Sequence, residues 1–205
     1  MRKIRKFAVG AAVAVSSIAM AAGPATADPS TVWTVGPGSP QAFNAVSSST
    51  KLELNGILLT CTNSTASGTL SSKTGNPAAV GNIAAVAFNN CTTPFGPLNV
   101  DTVEPWSLNA ADYSAGVTKG NIGNVTAKLA VLACTFDVVG KASGNYSNAT
   151  GKLTVDSLPG ELLVANSVNC GDIAKNGDKP SFDSVYDVTI PGGGKPSIVG
   201  SNPPS

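Results

Sequence analysis

Four cysteines, a set of carboxylates and lysines, and no histidine set the limits of the chemistry this chain can perform. Without an imidazole there is no Ser-His-Asp or Cys-His relay and no His-based metal centre. Carboxylates, lysines, tyrosines and hydroxyls remain. Ser48-Ser-Thr-Lys51 followed by Lys73-Thr-Gly75 copies two of the three motifs of serine penicillin-binding enzymes. Those motifs need the Ser and Lys on a helix and a middle Ser-Asp-Asn element. Here the pair sits in a Ser-rich approach to a strand, so the match reads as chance. Asp101 and Glu104, just before Trp106, could be drawn as two carboxylates of a sugar subsite. The plainer reading is a bent or edge strand, with Pro105 ahead of an indole packed in the core and the acids solvated. Asp172, Asn176 and Asp178 surround an Asn-Gly pair, but their spacing departs from an EF-hand loop and lacks its terminal Glu. A polar turn accounts for them. The expectation is a protein with no catalytic residue, cofactor or metal ion.

The cysteines, Cys61, Cys91, Cys134 and Cys170, are even in number and tens of residues apart, which suits disulfides and not a zinc site. Three connectivities are open in principle, and a weak internal repeat bears on the choice. Leu59-Thr-Cys61-Thr62, Ser67-Gly68 and Val86-Ala-Phe88-Asn-Asn-Cys91 echo Leu132-Ala-Cys134-Thr135, Ser143-Gly144 and Val164-Ala-Asn-Ser-Val-Asn-Cys170. Each unit reads as a strand, a turn region and a returning strand with a cysteine at either end. On that reading the bridges are Cys61–Cys91 and Cys134–Cys170, each stabilising by about 3.5 kcal/mol in the chain-entropy model.

An oxidising destination fits the N-terminus. Met1-Arg-Lys-Ile-Arg-Lys6 is a basic n-region, an apolar stretch follows, and Ala25-Thr-Ala27 is a small-residue cleavage site. Residues 1–27 are therefore expected to be a signal peptide, residues 28–190 a single domain and residues 191–205 a flexible tail, with a secreted protein as the product. The apolar stretch is short for a bilayer span, so no transmembrane anchor is expected in the mature form. Losing Arg2, Lys3, Arg5 and Lys6 leaves nine lysines against twelve acids, a net charge of −3 with no arginine. Such a surface repels a phosphate backbone and lacks the guanidinium fork that recognises one, which argues against nucleic acid as a partner.

What must position these residues is a set of strands. Short β-branched or alternating runs separated by Gly, Asn, Pro and Ser recur over 31–35, 51–61, 65–71, 83–89, 98–109, 121–133, 135–140, 152–156, 161–168 and 181–190. No segment shows a sustained helical period. Val125, Ala127, Leu129, Val131 and Ala133 share one face, as do Phe182, Ser184, Tyr186, Val188 and Ile190. Gly56 reads as a bulge in a long first strand. The fold class is all-β, a disulfide-stapled antiparallel sandwich or barrel of about ten strands. Trp33 and Trp106 are the aromatics to watch, at a binding surface or in the core.

The order Cys61, Cys91, Pro105-Trp106, Cys134, Gly144-Asn-Tyr146-Ser-Asn148, Leu153, Cys170 and a final alternating strand resembles a group of secreted proteins of actinobacteria. It is also similar in layout to the PraB-type family, named for activation of alkane oxidation. The resemblance implies a secreted, non-enzymatic protein that helps cells meet or take up hydrophobic substrates. Its partners would then be apolar small molecules or cell-surface components. A structural or adhesive module of the cell surface or biofilm is the alternative.

Overall fold

Inward and outward side chains alternate along the chain, and in this computed structural model the described residues, 31–201, are accordingly all β. The expected signal peptide, residues 1–27, lies outside them. The strands are β1 (Val32–Gly36), β2 (Gln41–Ser47), β3 (Thr50–Leu54), β4 (Ile57–Leu70), β5 (Lys73–Thr74), β6 (Ala78–Thr93) and β7 (Gly96–Thr102). They continue as β8 (Trp106–Ser114), β9 (Val117–Val131), β10 (Cys134–Ser147), β11 (Lys152–Asp156), β12 (Leu162–Val168), β13 (Ser181–Thr189) and β14 (Ser197–Ser201). Among the described residues no helix is long and apolar enough to cross a membrane.

The ladders close on themselves. Around one half of the molecule antiparallel pairing runs β13–β2–β4–β6–β8–β9–β10–β11 and back to β13. Around the other half it runs β13–β3–β4–β6–β7–β9–β10–β12. There Val164 N–H donates to the Asp178 carbonyl and Gly177 N–H to the Val164 carbonyl, joining β12 to the segment that enters β13. The result is a barrel of eight strand positions, three of which are filled by two short strands end to end: β2 with β3, β7 with β8, and β11 with β12.

Those three interruptions ring the waist, and side-chain oxygens replace the missing ladder partners there. Between β2 and β3, Ser47 Oγ accepts from Ser49 N–H at 3.3 Å and from Ser184 Oγ at 2.9 Å. Between β7 and β8, Glu104 accepts from Val86 N–H at 3.0 Å and from Thr102 Oγ1 at 2.5 Å. Between β11 and β12, Glu161 accepts from Ser143 N–H, Ser143 Oγ and Leu158 N–H at 2.7–2.9 Å. Gly140 lies beside this break with φ +137°, and a Cβ there would sit 2.1 Å from the Glu161 carbonyl oxygen, so the close approach requires glycine.

The two ends differ. At one, the disulfides Cys61–Cys91 and Cys134–Cys170 form as the repeat indicates. Cys61 and Cys91 are directly opposite on β4 and β6, with Cα atoms 4.0 Å apart. The other bridge ties the start of β10 to the residue two past β12. At the opposite end a separate sheet in the order β14-β1-β5 lies over the barrel, burying Trp33, Val35 and Ile198 against Leu70, Val80 and Tyr146. Tyr146 OH donates to the Pro196 carbonyl at 2.6 Å, and Thr118 Oγ1 to the Ile198 carbonyl at 2.7 Å.

Three expectations need correction. Gly56 is no bulge: Asn55 (φ +53°) and Gly56 (φ +77°) form a two-residue turn, and the segment 51–61 is a hairpin of β3 and β4. Asn-Gly supplies the positive φ that such a turn requires at both positions. The segment 98–109 is two strands, because Pro105 has no N–H for a continuing ladder. The segment 191–205 is not all tail: β14 pairs with β1 along its whole length, and residues 202–205 lie outside the described residues.

Candidate functional site

Inward alternation gives the barrel an apolar lining, and inward alanines keep that lining from meeting at the centre. Ala45 on β2, Ala66 on β4, Ala127 on β9 and Ala142 on β10 face a cavity of about 100 Å³ near the waist. Leucines, valines and phenylalanines from the same and neighbouring strands complete its wall, among them Phe43, Leu129, Val138 and Phe182. A second void of about 70 Å³ lies under the cap, walled in part by Tyr146, Pro196 and Ile198. Phe43, Leu108, Ile122, Leu153 and Val155 border both voids and form a septum between them.

Polar side chains on the larger cavity's wall direct their polar atoms elsewhere. Tyr186 OH shares a 2.8 Å hydrogen bond with Ser64 Oγ. Thr50 Oγ1 lies 3.2 Å from Ser184 Oγ, which in turn reaches Ser47. Trp106 Nε1 donates to the Val103 carbonyl at 2.9 Å. Burial raises the Tyr186 phenol above its usual range against the opposing pull of its Ser64, Ser184 and Thr50 neighbours, and it pushes Tyr146, under the cap, up to about 12. Both phenols are neutral wherever the protein is folded near neutral pH.

The residues singled out by sequence are not brought together. Trp33 is buried in the cap with its Nε1 on the Gly75 carbonyl at 3.0 Å, and Trp106 is buried in the cavity wall, so both are core aromatics. Asp101 is exposed on β7 opposite Lys128, while Glu104 is held at the waist by Val86 and Thr102. Ser48 and Lys51 are exposed at the β2–β3 waist and on β3, whereas Lys73 is on β5 in the cap sheet. Asp172 pairs with Lys175 at 2.8 Å, Asn176 accepts from Ser167 N–H, and Asp178 accepts from Asn55 and from Lys175 N–H. These three serve a turn.

The sequence pattern placed Ala127 and Ser184 on the apolar faces of their strands but did not single out Ala45, Ala66 and Ala142, or the hydroxyl cluster that Ser184 forms with Ser47, Thr50 and Ser64. Their signal was present in the alternation: Phe43, Ala45 and Ser47 are spaced by two, as are Ser184, Tyr186 and Val188. Small and polar residues at inward positions mark room and hydrogen bonding inside a barrel.

No curated protein and no solved structure matches the chain. A family model described as "Alkane oxidation protein activator PraA/PraB-like" matches residues 1–178, a span that takes in both disulfides, the waist and most of the cavity wall. With most of its length so matched, the chain belongs to the PraA/PraB-like family of alkane oxidation protein activators.

Proposed function

We propose that this is a secreted, non-enzymatic protein that binds small apolar molecules inside its barrel. The observation that carries the reading is the closed barrel with an apolar cavity at its waist. The family description, an activator of alkane oxidation, agrees with a protein that handles hydrophobic compounds. Glu104, Trp106 and Asp172 are engaged in local structure and Asp101, Ser48 and Lys51 are exposed at separate places, an arrangement that favours binding over catalysis. The expected partners are apolar small molecules, not nucleic acid.

A specific observation favours a second reading, engagement of hydrophobic or cell surfaces. Leu58, Phe95, Leu132 and Val168 are exposed large apolar residues at the disulfide end, and Leu132 is 78% exposed at a hairpin tip. One experiment separates the two. Protein purified from the medium of its own cells, without reductant or detergent, is heated in a sealed vial, and the headspace and a solvent extract are analysed by gas chromatography–mass spectrometry. Release of an apolar compound in an amount comparable to the protein supports the interior site. A protein that releases nothing and sediments as higher oligomers overturns it in favour of the surface.

A further inference from the structure

Resting on the interior-site reading, we infer that the waist cavity selects apolar molecules without a polar head group, and of a size below that of benzene. Almost none of the cavity's surface comes from polar atoms. The wall's hydroxyls and indole N–H are already paired with Ser64, Ser184 and the Val103 carbonyl. Among the described residues no buried side-chain nitrogen or oxygen lacks a hydrogen-bond partner. A ligand hydroxyl or carboxylate entering this space would lose its water and find nothing in exchange. A built polar anchor is what sites for alcohols and acids ordinarily provide, and here it is missing.

Size follows from volume. A cavity of roughly 150 Å³ lined by aliphatic and aromatic side chains takes up benzene. The larger void is about 100 Å³, and the septum around Phe43 and Leu153 separates it from the smaller one. The four inward alanines set that limit, because each could be lengthened to fill the space.

The test uses the oxidised mature protein with labelled methyl groups, followed by nuclear magnetic resonance during titration with xenon, propane, ethanol and n-hexane. Propane and ethanol have the same number of heavy atoms, so they differ in the hydroxyl. Xenon and propane are expected to shift the methyls of Leu129 and Val138, with ethanol bound about 10–100-fold more weakly than propane. Ala142→Leu is expected to abolish the propane shifts. Ala127→Val, a smaller change, is expected to weaken them and stands in if the leucine variant does not fold. Ethanol binding as tightly as propane, or hexane binding in propane's place, would overturn this inference while leaving an interior site intact. Silence of those methyls toward all four probes would overturn the interior site itself.

Discussion

At one end of the barrel the wall is tied by covalent bonds, and the other end is covered by a sheet held through aromatic packing. The cap end gathers Trp33, Phe43, Trp106, Tyr146 and Tyr186 into one core. The disulfide end has Phe136 as its fully buried aromatic, with Leu54, Leu59, Leu129 and Val131 and all four cysteines around it. Aromatic side chains bury more area apiece than any other residue, and this chain is only 5% aromatic. Where they are concentrated, a small three-stranded sheet and a few hydrogen bonds hold the end shut. Where they are scarce, the strands are stapled instead by two disulfides, bonds that need oxidising conditions to form.

That contrast can be broken from either side. Replacing Cys61 and Cys91 together by alanine is expected to cost about 2–5 kcal/mol in denaturant unfolding, with faster amide exchange confined to the disulfide end. Trp33→Ala should cost about 3–5 kcal/mol and speed exchange in β14 and β1 while leaving the stapled end protected. If both variants loosened both ends equally, the ends would form one cooperative unit and the contrast would be architectural only.

The waist belongs to neither end and gives a sharper test. Burial pushes the Glu161 carboxyl up, but hydrogen bonds from Ser143 and Leu158 and the nearby Lys141 outweigh it and hold the carboxyl below its usual range. A depressed folded value means that the ionised form stabilises the fold at neutral pH. That contribution is lost as pH falls from the ordinary glutamate value through the lowered one. Glu161→Gln should therefore lower the urea midpoint at pH 7, and the gap to the natural protein should narrow in acid. A gap independent of pH would show that shape, not charge, matters at the break.

The smallest expected effect is a gain. Leu132 has φ +53° in the two-residue turn joining β9 to β10, a conformation that costs an L-residue with a Cβ about 1–2 kcal/mol. Leu132→Gly should relieve part of that, raising stability by a few tenths to about 1 kcal/mol in the same unfolding assay. Unchanged or lower stability would mean that the exposed leucine side chain contributes contacts that offset its backbone strain.

Much of this architecture is legible in the sequence. Alternation placed β9 and β13 and their inward faces, and the echo between Cys61–Cys91 and Cys134–Cys170 paired the cysteines correctly. The two units even share an unusual detail, since Asn90 and Asn169, each just before the second cysteine, both have positive φ. β2 escaped notice because its inward positions hold Ala45 and Ser47, which carry little hydrophobic signal. β14 was hidden by flanking prolines and glycines, although Ile198 alone anchors it in the core. Closure itself was beyond reach: the joint between β13 and β2 pairs Asp187 with Val46, and no local pattern encodes a contact so distant in sequence. The cavity was unreadable for the same reason, since an inward alanine makes a void only when the strands opposite it are known.

Ring closure has a bearing on how copies of this chain can meet. A sheet edge is a template on which a second molecule can lay a strand, and that is a common route to fibres and to strand-exchanged adhesive polymers. The barrel proper offers no such template among the described residues, which leaves the outer strands of the cap sheet. One of these, β5, is two residues long, and on the other, β14, the Asn148 amide already occupies both the N–H and the carbonyl of Ile198 at 2.8 Å. Among the described residues, then, little open strand edge is left on which a second copy could add a strand, and contacts between copies would fall mainly to side chains.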